Sequence, residues 1–513
     1  MGKRALASLG LLLVGVGACN LLLPDEYVVN ADLGHLLFGR GIEAPPATVV
    51  AERLHAVDGL QVTIWAQGIP NARMLRFTPA GDLLVSQPRR GQILLLLADR
   101  DEDGGSDGRR VLIDGLDRPH GLDLQGSSLF VAEASLISRF DFEESGPGTA
   151  RVVGAPVPIV EDLPEGGNHW SRTLRFGPDG DLYLSIGSSC NVCEESDPRR
   201  AAILRFEPDG SGGEIVARGL RNAVGFDWQP GTNDLYATDN GRDLLGDDYP
   251  PCELNRVERG GFYGWPYANG DRESDPDFGE GHAAEIAASI PPAHGFAAHN
   301  APLGITFVRQ PAPPADLDQA ALVALHGSWN RTVKDGYKVV SLHWDESGAI
   351  EERDFLTGFN VDEDVIGRPV DVAEGPDGAF YVSDDYAGVI YRVAEAGPDP
   401  AVDRRTGSGP AADARLPSAA VGDPLVDLDP EARRSLVARG EALFTDRGCG
   451  ECHLAEAAAP GVVVKRLEQL GQRYSLDALS SFFLAPTPPM PVFDAPLAER
   501  RALAAFLLER WGS

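Results

Sequence analysis

Near its C-terminal end the sequence runs Cys449-Gly450-Glu451-Cys452-His453. Two thiols three positions apart lie on one helical turn, so both can add to the vinyl groups of a single porphyrin, and the adjacent imidazole falls under the iron as fifth ligand. C-x-x-C-H is therefore the attachment signature of a c-type haem, and it implies that the chain handles electrons. The sixth ligand calls for a soft donor downstream. Of the three methionines, Met1 and Met74 lie far upstream, whereas Met490 sits in Pro488-Pro489-Met490-Pro491 and is the candidate. A zinc site would ask for further Cys or His nearby, and none follows His453.

The elements that must hold this motif read as helices. Ala438-Arg439-Gly440-Glu441-Ala442-Leu443-Phe444 leads into it, and Leu503, Phe506 and Leu507 make an i, i+3, i+4 stripe in a last helix. Here the chain resembles class I cytochrome c domains, in which Gly440 and Phe444 match the contact of the first helix with the last. That resemblance implies a small all-α cytochrome c domain over residues 428–513.

A chain of 513 residues exceeds what one core usually serves, so most of it must do something else. Lys3-Arg4, the apolar run Ala5 to Val16 and then Gly17-Ala18-Cys19 have the three parts of a secretory signal, in a run too short for a typical membrane span. Small residues before a cysteine resemble the bacterial lipobox. This implies a signal peptide over 1–18, lipid on Cys19 and a periplasmic lipoprotein anchored to a membrane, with 19–59 as tether and lead-in; a soluble secreted protein with an incidental Cys19 is the alternative. Haem attachment also implies export. Of six cysteines, three remain: Cys190, Cys193 and Cys252. They allow one disulfide and one free thiol, and the sequence does not choose the pairing. Cys190-Asn191-Val192-Cys193 reads as a loop clip or as a redox pair. With 77 acidic against 45 basic residues and a net charge of -32, nucleic acid and anionic lipid surfaces are excluded as partners, and a basic redox protein fits.

A phrase of a tight turn and a short strand recurs at Pro79 to Ser86, Gly126 to Ala132, Pro178 to Ser185, Pro230 to Thr238, Ala321 to His326 and Pro376 to Ser383. Each copy follows another short strand, beginning near Asn71, Arg118, Ser171, Arg221, Ala301 and Arg368. A period of about fifty residues with Gly/Asp turns and β-rich runs is the mark of a β-propeller. The fold class expected is an all-β six-bladed β-propeller over 60–395. Asp271 to Pro292 reads as a surface insertion near the mouth, and 396–427, crowded with Pro, Ala, Gly and Asp, as a linker.

Specific strings narrow the propeller. Asn168-His169-Trp170-Ser171-Arg172, Gly219-Leu220-Arg221-Asn222, Asp239-Asn240-Gly241-Arg242, Glu253-Leu254-Asn255 and Gly260 to Pro266 resemble the glucose/sorbosone dehydrogenase family. His326 to Arg331, Gly367-Arg368-Pro369-Val370 and Ser188 to Cys193 point to its sorbosone-dehydrogenase-like branch. The resemblance runs from about Leu60 to Val393. It implies pyrroloquinoline quinone and calcium as cofactors and a small sugar, aldehyde or polyol as substrate. It makes His169 the general base, with Arg221 over the reactive quinone carbonyl and Asn222 beside it. It makes the backbone carbonyls of Gly241 and Arg242 calcium ligands, and Arg368 and, less closely, Arg331 the cations for the quinone's carboxylates. The chain departs from the glucose-oxidising members at Asn168 and Ser188, where they carry acids, and at Val370, where they carry a second arginine. Those changes put the base's support and glucose itself in question.

Asp99 to Asp107 resembles the first half of an EF-hand loop, with Asp99, Asp101, Asp103 and Asp107 as oxygen donors, but Arg110 stands where the bidentate Glu belongs. It is a second calcium site or an unliganded acidic turn. The sequence thus predicts a dehydrogenase that passes electrons to its own haem and on to a downstream redox protein. The rival readings are a sugar-lactone hydrolase and a non-catalytic sugar-binding propeller carrying a cytochrome.

Overall fold

The computed structural model describes residues 28–30, 41–311, 313–314, 316–395 and, in the C-terminal part, 425, 428, 430–447, 449–453, 467, 470, 476, 479–480, 483, 493, 495 and 497–511. The chain divides after Asp399 into two compact units.

In the first unit the repeated phrase forms the second strand of each blade. Leu83–Gln87, Ser128–Ala132, Leu182–Ile186, Leu235–Asp239, Ala321–Leu325 and Phe380–Asp384 occupy this place in six sheets of four or five strands, antiparallel but for Gly261–Phe262, which pairs parallel to Glu214–Arg218. Four of these strands, in the first, fourth, fifth and sixth blades, are buried along their whole length, because blades packed face to face cover both sides. The outer strand Arg151–Val160 is largely exposed, with Val153 and Val157 open to solvent. The turn before the second strand repeats its geometry: Gly180 and Gly378 stand at φ 84° and 77°, where a Cβ is unfavourable, and each donates its N–H three residues back.

The ring closes through the N-terminal part of the unit. Leu60–Gln67 runs antiparallel to Val389–Glu395 as the outer strand of the sixth blade, pairing Leu60 with Glu395 and Gln67 with Val389. Residues before it are also built in. His55–Ala56 pairs with Thr357 and Leu356 at the edge of the fifth blade, and the helix Ala47–Arg53 puts Val50, with Leu54 beyond it, into the core. The stretch expected as tether and lead-in over 19–59 is therefore partly propeller, because a short helix with two apolar residues finds a groove between blades. Even Asn30 donates its N–H to Trp329 O at 2.9 Å.

The second unit contains the helices Pro430–Asp446, Gly450–His453 and Leu497–Trp511. Phe444 packs 5.4 Å from Phe506, and a Cβ on Gly440 would lie 2.0 Å from Ala502 O, so glycine sets how closely the long helices cross. Cys449 packs on this apolar cluster, and Cys452 and His453 lie in the short helix. Cys19, Met490 and all of the linker 396–427 but Leu425 lie outside the described residues. No helix among the described residues is long and apolar enough to cross a membrane.

Candidate active site

Residues before the innermost strands, and others just after second strands, meet around one cavity of about 210 Å³. Blade one supplies Asn71 and Arg73, blade three Asn168 to Ser171, blade four Asn222, and blade six Asp385. The loop carrying His169 is held from behind by buried Arg172, which donates to the carbonyls of Pro164 at 2.6 Å, Ser171 at 2.9 Å and His169 at 3.2 Å.

His169 Nδ1 lies 3.0 Å from Ser188 O and 2.8 Å from Ser188 Oγ. A carbonyl only accepts, so Nδ1 carries the proton and Nε2 the lone pair. Burial, followed by the charge of Arg221, pushes the imidazole down to about 3, so it is neutral at ordinary pH. Gly187 lies between His169 and Asn222: a Cβ there would come within 2.6 Å of His169 Cβ and 2.7 Å of Asn222 Oδ1. That Oδ1 is buried with no hydrogen-bond partner, while Asn222 N–H donates to Asp239 at 2.5 Å.

Arg221 lies behind this wall, its side chain 5% exposed. Its five N–H groups are all used: Nε on Asn191 O, one amino group on Asn240 O and Gly241 O, and the other on Asn191 Oδ1 and Asp243 Oδ2, at 2.8–3.1 Å. The role expected for it, over a quinone carbonyl, is therefore one of fixed charge rather than of a spare donor. Gly241 O is already an acceptor at 2.9 Å. Arg242 sends its guanidinium to Asp275, at 2.7 Å from both oxygens, and to Asp277, pinning the insertion to this turn.

Opposite His169, Arg73 contacts Asp385 at 2.9 Å, and His326 Nε2 meets the other oxygen of Asp385 at 2.8 Å. Burial and then Arg368 push His326 down to about 3, making it a neutral donor to that carboxylate. Arg73 also stands 5.8 Å above the ring of Trp170. None of these four residues carries a role in the sequence reading. Their signal lay in position: Asn71-Ala72-Arg73 precedes its inner strand as Asn168-His169-Trp170 precedes its own.

Two expected quinone-binding cations do not line the cavity. Arg331 donates to Asp247 O and Ala298 O and pairs with Asp248, because its loop turns toward the neighbouring blade. Arg368 lies behind Asp385, donating to His326 O and Gly327 O at 3.1 and 2.7 Å. In the first blade's outer hairpin, Asp99, Asp101 and Asp107 bring carboxylate oxygens within 4.8 Å of one another, while Asp103 accepts the Gly105 N–H. Cys190 and Cys193 form a disulfide, and Cys252 is a buried thiol that burial pushes up to about 11.

Residues 54–254 match the family model described as TrAA12-like, and residues 157–392 match Glucose / Sorbosone dehydrogenase. An uncharacterised protein of Borreliella burgdorferi is 39% identical over 216 residues, 41% of this chain and 56% of that one. A pyrroloquinoline quinone-dependent pyranose dehydrogenase of Coprinopsis cinerea is 25% identical over 422 residues, 68% of this chain and 56% of that one. The chain thus spans little more than half the length of these curated relatives. Among solved structures, the calcium structure of Trichoderma reesei carbohydrate-active enzymes family AA12 has a TM-score of 0.59 at 21% identity, covering 70% of this chain and 99% of that one, a likeness of fold. Between residues 54 and 392, then, this propeller is similar to the glucose/sorbosone dehydrogenase and TrAA12-like families.

Proposed function

We propose that the propeller is a quinoprotein dehydrogenase that oxidises an aldose, a related aldehyde or a polyol, and that the electrons leave through a haem on Cys449 and Cys452, with His453 and Met490 as iron ligands. One observation carries the reading: neutral His169, with Nε2 left as acceptor, and Asn222, with an orphaned buried Oδ1, share a cavity with Arg73 and Arg89. The named pyranose dehydrogenase relative supports pyrroloquinoline quinone as the cofactor.

The cavity fits that group. A flat, anionic quinone would be held by the guanidinium groups of Arg73 and Arg89 beside the Trp170 ring, and the orphaned Asn222 Oδ1 would accept from a donor such as a substrate hydroxyl. When bound, it supplies a two-electron acceptor for the substrate's C–H hydride. His169 Nε2 takes the hydroxyl proton, Ser188 keeps the ring oriented, and Arg221 holds a fixed positive charge behind the site. Calcium fits less well at Gly241, whose carbonyl already accepts from a guanidinium that a dication would repel. No step here depends on it.

The attached haem supplies a one-electron carrier, and tethering it to the propeller raises its effective concentration. Lipid on Cys19 and a periplasmic location complete the proposal, with a basic redox protein as downstream partner. The hydrolase alternative needs carboxylates around a channel metal. Among the described residues, the cluster of carboxylates placed to hold a metal lies at Asp99, Asp101 and Asp107, not in the cavity, and the sulfurs near Glu195 are tied up in the Cys190–Cys193 disulfide.

Haem-loaded protein reconstituted with the quinone and calcium should reduce an artificial dye when given an aldose panel. His169→Ala should abolish this with the haem spectrum intact, whereas Met490→Ala should change the spectrum and spare dye reduction. No turnover on any sugar or aldehyde, with no quinone retained, would leave a binding propeller instead.

A further inference from the structure

His169 and Arg221 come from different blades, yet both are tied to one short loop that follows the second strand of blade three. Ser188 lies at its start, and its N–H donates to Arg221 O at 2.8 Å. Its Oγ lies 2.8 Å from His169 Nδ1 and donates onward to Cys190 O at 2.7 Å. Three residues after Ser188, Asn191 accepts twice from Arg221, through its backbone carbonyl at 2.9 Å and its Oδ1 at 2.8 Å. The same side chain binds the turn that supplies Arg221's other acceptors: Asn191 Oδ1 accepts from Asp243 N–H at 2.9 Å, and Asn191 Nδ2 donates to Asp243 O at 3.0 Å. The Cys190–Cys193 bond closes the loop around Asn191, and Glu195 secures it again by accepting from Ser189 N–H and Oγ.

We propose that Asn191, seated by the Cys190–Cys193 disulfide, is a positioning residue for Arg221, and that Ser188 on the same loop positions His169, so that one clip sets both groups. The proposal rests on the dehydrogenase reading. Of the five acceptors around the Arg221 guanidinium, two belong to Asn191, and a third, Asp243, is on a residue that Asn191 holds. Arginine keeps a planar fork in register only when its acceptors are fixed. A free loop would lose conformational order at the point where the guanidinium needs it, and a disulfide across three residues removes that freedom. The thiols thus serve the site without touching its chemistry.

The test uses the full chain. Asn191→Ala, with the disulfide intact, should lower kcat for dye reduction about 100-fold while KM changes less than about threefold, the pattern of displaced catalytic groups. Ser188→Ala should lower kcat about tenfold and Ser188→Thr, which restores the hydroxyl, should recover most of it. Cys190→Ser/Cys193→Ser should follow Asn191→Ala in direction if it folds. Independently of turnover, selectively ¹⁵N-arginine-labelled protein should show a slowly exchanging Arg221 Nε–H signal, assigned by its loss in Arg221→Lys, that disappears in Asn191→Ala. A persisting signal, or a rise in KM at unchanged kcat, overturns the proposal. If the wild type reduces no dye but the signal still depends on Asn191, the tie stands and the dehydrogenase reading alone fails.

Discussion

His169 is a base supported by a hydroxyl and a carbonyl, and the consequence is electrostatic. Its Nδ1 is held by the carbonyl and hydroxyl of Ser188, with no carboxylate at that nitrogen. Burial and Arg221 push it down to about 3. Its neutral form is the working one, so activity should persist as pH falls and be lost only on approach to that value. Ser188→Asp should raise the imidazole's pKa and move the acid limb of kcat/KM up by about one to three pH units. A wild-type limb near 6.5 that Ser188→Asp leaves in place would contradict this. Gly187→Ala should remove most dye reduction with the fold retained, since its Cβ would press on both His169 and Asn222. Circular dichroism and turnover together check it. His169, Arg221 and Asn222 were legible because each sits in a distinctive string. Arg73 and Asp385 were not, because they are 312 residues apart and acquire meaning only when the ring closes.

Closure is the property of the elements. The repeated turn and strand announced the blades, since a strand covered on both faces reads as an apolar run and its turn needs glycine at positive φ. The helix Ala47–Arg53 and the strand His55–Ala56 left no such mark, being too short to show a period. The strand Leu60–Gln67 staples the first part of the unit to the last. Its Trp65 is 4% exposed and meets Tyr381 edge-on at 5.0 Å, so Trp65→Ala should cost about 3 to 5 kcal/mol of propeller stability. Denaturant titration of near-ultraviolet dichroism measures it, and a loss below about 1 kcal/mol would mean that the strand is not a closing staple.

At the scale of the molecule, a net charge of -32 is carried mostly at the surface, but the acids that govern stability are inside. Asp239 and Glu253 face each other across the second and third strands of the fourth blade. Burial first, and Glu253's charge second, push Asp239 up to about 8; burial pushes Glu253 up to about 7. Both bind protons in the folded state that they release when unfolded above about pH 4. Their stabilising contribution is therefore complete at low pH and is lost as pH rises through 7 and 8. His169 and His326 act in the opposite sense: pushed down to about 3, they are neutral in the fold, so their contribution is present above about 6.5 and drains away as pH falls. The two effects bracket an optimum between the limbs. Glu253→Gln isolates the alkaline one, for it removes an ionisable group and also the charge that raises Asp239; its single oxygen can accept from only one of the two donors, Gly270 N–H and Asn255 Nδ2, a cost that does not vary with pH. Relative to wild type, this variant should gain stability progressively from pH 5 to pH 8, by on the order of 2 to 3 kcal/mol across the range. Thermal unfolding at pH 5, 6.5 and 8 decides it: melting curves that shift in parallel at all three values would mean that the buried pair does not titrate with folding.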